Sequence, residues 1–272
     1  MARERLAVVV RRAEPRSHAD EVRARIAAEH EAARALREAN PEREPESARF
    51  GSRCPICLEE WDVNDPGVFR VCCCRLICQS CEGKIGYDAC PLCRMPCGTS
   101  VETLARLRRH VESDLPEAIF ELAHSYELGR FGLVKSAKKA AKLHKRGVEL
   151  GNVRSMIHLG NLYLHGGAGV KCDEKKTMQL WKLAADQGNA MAQAKLSTLF
   201  KDNDPKEALR WMNLAAQQGF TFAESILGGW LSKGFPGVEA DLDESKRWLA
   251  RAAAKGDRSA IKLLDVLLRR HP

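Results

Sequence analysis

The chain has 272 residues and a formal net charge of +8; 44% of its residues are hydrophobic but only 6% are aromatic. This length suits two modest domains, and the low aromatic content favours helices packed through Ala and Leu over a β-sandwich. The longest apolar run near the start, Leu6 to Val10, is too short for a signal-peptide core. No stretch approaches the roughly 20 apolar residues of a membrane span. We therefore expect an intracellular protein, cytoplasmic or nuclear, with no membrane association.

Residues 1–50 form a charged segment rich in Ala, Arg and Glu. Its few apolar residues predict either disorder or an exposed helix from about Ala19 to Ala39, which Pro41 would end. No pattern in this segment indicates chemistry.

Ten of the 11 cysteines lie between Cys54 and Cys97, and six of them form three CxxC pairs. In a reducing compartment such a cluster is typical of a metal site. A CxxC turn places two thiolates on one side of a tight knuckle, so eight thiolates supply two tetrahedral zinc ions. No histidine lies in this stretch, which makes both sites all-cysteine. The spacing alone also permits the linear pairing of tandem zinc ribbons.

The two ends of the cluster, Cys54-Pro55-Ile56-Cys57 and Cys90-Pro91-Leu92-Cys93-Arg94, resemble a RING finger over residues 54–94. The resemblance implies a cross-brace with two zinc ions. One ion would be held by Cys54, Cys57, Cys78 and Cys81. The other would be held by Cys72, Cys74, Cys90 and Cys93, with Cys73 as an alternative ligand.

RING fingers commonly act as ubiquitin ligases, so the resemblance implies a domain that recruits a ubiquitin-charged conjugating enzyme without a covalent catalytic residue. Ile56, Pro91 and Leu92 would line the groove for that enzyme, and Arg94 would be the linchpin cation that bridges it to ubiquitin. One departure is that residues 82–89 lack the tryptophan that often lines this groove. The alternative roles are local packing for Ile56 and a solvated surface cation for Arg94.

A repeat begins after residues 95–114, which the sequence predicts to be a linker or short helix. The segment Lys182 to Gly188 returns at residues 213–219 and 250–256, and in degenerate form at 145–151. The closing glycines are 37, 31 and 37 residues apart. Such a period predicts stacked units, each made of a helix, a turn, a second helix and a C-capping glycine.

These segments, with the turn Gly166-Gly167-Ala168-Gly169-Val170, resemble the Sel-one-like repeats, which are related to tetratricopeptide repeats. About four units span residues 115–256, and residues 257–272 would form a capping helix. The third unit is shorter and lacks the glycine turn. The resemblance implies an all-α solenoid that binds substrate or partner proteins.

Together the two resemblances predict a ubiquitin ligase whose repeats select a substrate. The alternative is a non-enzymatic adaptor in which both parts bind proteins. Nucleic-acid binding is not favoured, because the most basic cluster reads as an outer helix face without interleaved aromatic residues for base stacking (Lys135, Lys138, Lys139, Lys142 and Lys145).

Overall fold

The computed structural model describes residues 98–270 apart from 168 and 238. Of the segment before them it describes residues 54, 56, 59, 62–64, 68–72, 75–77, 79–84, 90 and 92. The predicted helix from Ala19 to Ala39 lies outside the described residues.

The described repeats are built from antiparallel helix pairs. Helix α2 (Ser100–Glu112) precedes the pairs. The first pair is α3 (Pro116–Leu128) and α4 (Ala137–Glu149), with the 3₁₀ turn Arg130–Gly132 between them. The next pairs are α5 (Val153–His165) with α6 (Glu174–Asp186), and α7 (Ala190–Phe200) with α8 (Pro205–Gln217). The last are α9 (Thr221–Lys233) and α10 (Leu242–Ala254), after which α11 (Arg258–Arg270) closes the array.

Each unit ends in the same backbone turn, at the glycine that the sequence predicts. Gly151, Gly188, Gly219 and Gly256 have φ between 77° and 87°, a left-handed conformation that glycine adopts without steric cost. After each glycine the next amide donates to the carbonyl five residues back, as Asn152 does to Gly147 at 2.9 Å. This pattern is the Schellman C-cap, and it explains why the glycine recurs.

The starts of most helices are capped by short polar side chains. Asn152 and Asn189 accept hydrogen bonds from the third residues of α5 and α7, and Asp173, Asp204 and Asp241 do the same for α6, α8 and α10. Such a cap satisfies an amide that has no partner inside the helix. Helix α9 is an exception, because Phe220 stands at its cap position and makes no side-chain cap bond.

The core of the repeats is a row of apolar clusters between successive helices. Trp181 is buried among residues of α5 to α8, and Met212 among residues of α7 to α9. A further cluster around Leu249 joins α10 to α11. Since each cluster uses residues of neighbouring helices only, the array is stabilised from unit to unit, as in other repeat proteins.

The stretch from Cys54 to Cys97 is called the cysteine segment. Its described part contains a small hairpin and a short helix. Strands β1 (Val68–Arg70) and β2 (Arg75–Ile77) pair antiparallel, with Val68 opposite Ile77, and α1 (Gln79–Lys84) follows. Val71, just after β1, packs against the α2–α3 cluster around Leu107. The hairpin is therefore in contact with the first helices of the array.

Among the residues that the structure describes, no helix is both long and apolar enough to cross a membrane.

Candidate functional site

Four of the predicted zinc ligands are among the described residues. Cys54, Cys81 and Cys90 are buried, and Cys72 is partly buried. Cys54 and Cys81 share one apolar cluster with Ile77, which brings together two residues that the cross-brace assigns to the same zinc. The remaining predicted ligands, Cys57, Cys73, Cys74, Cys78 and Cys93, lie outside the described residues.

Only two of the residues predicted to bind a conjugating enzyme are described. Ile56 is exposed, whereas Leu92 packs against the cluster of Cys54 and Ile77. Pro91 and Arg94 lie outside the described residues.

Asn64 connects the cysteine segment to the far end of the repeat array. Its side-chain amide donates to the carbonyl of Gly219 at 3.0 Å, and its side-chain oxygen accepts from the amide of Thr221 at 2.9 Å. Thr221 is the first residue of α9, a helix that lacks a capping side chain of its own. Asn64 therefore satisfies one amide of the first turn of α9, that of Thr221, whereas a capping side chain at position 220 would bond the amide of Ala223.

A second polar cluster lies in the first two repeats, where three histidines surround Glu127. One carboxylate oxygen, Oε2, lies 2.9 Å from His124 Nδ1 and 3.0 Å from His158 Nδ1. The other, Oε1, lies 3.2 Å from Nε2 of the fully buried His144. The buried ring of Phe120 packs against all three imidazoles, with ring centroids 5.0 to 5.7 Å apart.

The electrostatics of this cluster keep Glu127 ionised. Burial raises the pKa of this carboxyl, but the hydrogen bonds from His124, His144 and His158 outweigh burial and hold the pKa far below its usual range. Burial also lowers the pKa of His144, although its hydrogen bond to Glu127 opposes the shift. A carboxylate and a neutral buried imidazole are the expected forms near neutral pH.

The sequence analysis missed this cluster because its members come from three helices, α3, α4 and α5. One signal was present. Seven residues before the closing glycine, the later units place Trp181, Met212 and Leu249, all buried, and the first unit places His144. Aligning the four units therefore shows that the first has a histidine at a core position where the other three have apolar residues.

The described helices form an α-solenoid of short helical repeats, which defines the structural class of the protein. Sel1 repeat models match residues 116–152, 153–189, 190–220 and 222–257, which is more than half of the chain. The chain belongs to the Sel1 repeat family. Sel1 repeats generally mediate protein–protein interactions.

Solved structures support the same assignment. A Sel1 repeat protein from Oxalobacter formigenes is 26% identical and superposes with a TM-score of 0.56, over 61% of this chain and 69% of that one. The predicted all-α solenoid is confirmed.

Curated relatives match over much the same extent of this chain. A chitin synthase regulator of Malassezia restricta is 30% identical over 175 residues, which are 61% of this chain and 12% of that protein. Chitin synthase regulatory factor 3 of Schizosaccharomyces pombe is 31% identical over 170 residues, or 58% of this chain and 18% of that one. The chain thus spans less than a fifth of the length of these relatives.

The prediction of a ubiquitin ligase is wrong. The chain's relatives are named as regulators of chitin synthase, and no RING or zinc-finger family matches the cysteine segment. The resemblance rested on short cysteine motifs. Such motifs predict metal ligands, and they do not identify the proteins that a chain binds.

Proposed function

We propose that the chain is a non-enzymatic adaptor whose Sel1 repeats bind a partner protein. The observation that carries the proposal is the array itself: four repeats fill more than half of the chain, in a family whose repeats generally mediate protein–protein interactions. The relatives named as regulators of chitin synthase favour the same role.

Several exposed apolar side chains on the repeat helices offer contact points. Leu183 on α6, Met191 on α7 and Phe222 on α9 are each at least 43% exposed. A few side chains that become fully buried on binding carry most of the affinity of an interface. Charged substitutions at these positions should therefore weaken binding without unfolding the helices.

The adaptor role can be tested by cross-linking the full chain in extracts of its native cells and mapping the cross-links by mass spectrometry. We expect the partner's cross-links to fall within residues 116–257. The purified partner should then bind Leu183→Asp or Phe222→Asp at least about tenfold more weakly than the wild type. Val134→Asp is the matched control, because Val134 is 85% exposed and lies between helices.

Two results would count against the adaptor. Cross-links confined to residues before 116 would move the binding surface off the repeats. Equal affinity of the wild type and both helix variants would exclude the surfaces that these residues mark.

The cysteine segment would be a zinc-stabilised module in the proposed adaptor, arranged as a RING-type cross-brace. Buried Cys54 and Cys81 in one cluster fit a shared metal, and the described residues of this cluster supply few large side chains for a core of their own. Cys54, Cys57, Cys78 and Cys81 would hold one ion, and Cys72, Cys74, Cys90 and Cys93 the other. Zinc bound by four thiolates is structural, because it closes the chain around itself and leaves no open position for chemistry.

The zinc module can be tested by titrating the full chain with a mercurial reagent, which displaces only thiolate-bound zinc. We expect about two zinc ions to be released per chain, and fewer from Cys54→Ser or Cys90→Ser. Cys172→Ser is the control, because Cys172 is exposed and lies in the repeats. Absence of released zinc from the wild type, or an equal loss in the control, would rule the module out.

A further inference from the structure

The polar cluster around Glu127 is used neither by the adaptor surface nor by the cysteine segment. We propose that His124, Glu127 and His158 form a binding site for a divalent transition metal of the borderline class, zinc above all, and that His144 is its positioning residue. The site would join the first helices of repeats one and two.

The ligand atoms are already gathered. One ligand atom of each of the three residues lies within 4.8 Å of the other two. The Nδ1 atoms of His124 and His158 lie 2.9 and 3.0 Å from the same carboxylate oxygen. In a tetrahedral zinc site with metal–ligand bonds of about 2.0–2.1 Å, neighbouring ligand atoms stand roughly 3.3 Å apart. These two nitrogen–oxygen distances therefore differ from the spacing in a zinc site by only a few tenths of an ångström.

The donor set selects the class of metal. Two imidazole nitrogens and one carboxylate suit zinc and its neighbours, whereas calcium and magnesium prefer all-oxygen sites. The ligand side chains are 16% to 28% exposed, so an ion can enter from solvent. Three protein ligands leave a fourth position for water or for a side chain of a bound partner.

In metal sites of other proteins a second residue hydrogen-bonds to a ligand and fixes its orientation, and His144 is placed to do this for Glu127. His144 approaches the second carboxylate oxygen, Oε1, and so fixes the orientation of Glu127 without occupying the metal position. Its other nitrogen, Nδ1, is buried without a hydrogen-bond partner, which makes the histidine a costly choice for this position. The later repeats place Trp181, Met212 and Leu249 there instead. An imidazole retained at an apolar core position fits a requirement to orient Glu127.

The repeats also show that the cluster is not needed for the fold. At the position of Glu127 counted from the preceding leucine (Leu122), the second repeat has Leu164, five residues after Leu159. The packing of α5 on α6 there uses Leu164 and Trp181 at the positions of Glu127 and His144. Its side-chain hydrogen bonds include those of Thr177 and Trp181 to carbonyls of α5. The three histidines and Glu127 are therefore additions to the first interface rather than part of the repeat.

Cobalt(II) is the probe for this site, because it takes zinc positions and absorbs visible light when bound with low symmetry. Full-length protein first receives about two equivalents of zinc per chain, which the softer thiolate sites take up and which leaves none for the histidine site, and Co²⁺ is then titrated in. We expect weak ligand-field bands without the near-ultraviolet thiolate-to-metal charge transfer that any cobalt in the cysteine segment would show. Absence of such bands in the wild type would overturn the proposal without recourse to a variant.

Two variants assign the bands to residues. His158→Gln should abolish them, since it removes a ligand from a site that has only three. His165→Gln, the same change at an exposed histidine of the same helix, should leave them unchanged. Bands that persist in His158→Gln, or that vanish equally in His165→Gln, would place the cobalt elsewhere.

His144→Met tests the positioning role with the residue that the third repeat uses. We expect cobalt to bind about 10- to 100-fold more weakly, as is typical when an outer partner of a metal ligand is removed. The band positions should be retained, because all three ligands remain. Changed band positions would mean that His144 is itself a ligand, and unchanged affinity would mean that it positions nothing.

Discussion

Gly160 shows how closely two helices of one repeat approach each other. A Cβ atom added at this position on α5 would come within 2.3 Å of Trp181 Nε1 and 2.5 Å of its Cδ1. Trp181 is buried on α6, and its indole N–H donates to the carbonyl of Ile157 at 3.2 Å. The same relation recurs in the last repeat, where a Cβ at Gly228 would lie 2.6 Å from Leu249 Cγ. Glycine is therefore required at these two mid-helix positions, because the facing core residue lies directly against the helix there.

Gly160→Ala should destabilise the protein, because the ring of Trp181 would have to leave both its packing and its hydrogen bond. We expect a loss of about 1–3 kcal/mol in the free energy of unfolding, the usual range for overpacking a core. Gly229→Ala is the matched control, since its nearest neighbour, Leu263 Cδ2, would be 3.8 Å away. There the better helix propensity of alanine should leave stability unchanged or raise it by up to about 1 kcal/mol.

Chemical denaturation followed by circular dichroism measures both variants. Equal stability of Gly160→Ala and the wild type would mean that α5 and α6 are not packed as closely as the structure shows.

At the scale of one element, helix α9 depends on a distant residue for its start. The equivalent helices α5 and α7 are capped by Asn152 and Asn189, each directly after the closing glycine. In α9 that position is Phe220, whose ring packs into the cluster around Met212. Asn64 holds the start of the helix in another way, because it bonds the chain on both sides of Phe220, at the carbonyl of Gly219 and the amide of Thr221. The helix thus gains an apolar contact and transfers its capping to the cysteine segment.

Asn64→Ala should loosen the first turn of α9, because it removes both hydrogen bonds. We expect a cost of about 0.5–2 kcal/mol, as for other capping side chains, and faster hydrogen exchange at the amide of Thr221. In a Phe220→Asn background the helix has a cap of its own, so the cost of Asn64→Ala should shrink. A double-mutant cycle measures this coupling separately from the packing that Phe220→Asn loses. Independent, additive effects of the two substitutions would contradict a capping role for Asn64.

The sequence predicted what is local and missed what is long-range. The repeats were predictable because their period and closing glycines follow from backbone geometry that recurs in every unit. The bond from Asn64 to Thr221 spans 157 residues, and no periodicity records it. The cluster around Glu127 combines side chains of three helices, so only the placement of one unit against the next brings it together. The functional prediction was wrong because it followed the short cysteine motifs and not the longer repeat array.

At the scale of the whole molecule, the described contacts between the cysteine segment and the repeats involve the first helices and α9. The repeats contain clusters around Trp181, Met212 and Leu249, to which none of the described residues of the cysteine segment contributes. The described contacts from the segment to the array include Val71 at the first helices and Asn64 at α9. Loss of the segment's fold should therefore reach the array at these places and leave its core intact.

Removal of zinc by a chelator should unfold residues 54–93 while the helical circular dichroism signal is largely retained. Structural zinc contributes on the order of 10–16 kcal/mol to the folding of a small finger, so a segment without it should not stay folded. Hydrogen exchange should then accelerate at the amide of Thr221, because an unfolded segment no longer holds Asn64 against α9. In the chelated protein Asn64→Ala should cause no further acceleration, whereas in the zinc-loaded protein it should. A cooperative loss of the helical signal on chelation would show that the two parts fold as one. An additional effect of Asn64→Ala without zinc would show that the contact at α9 does not depend on the metal.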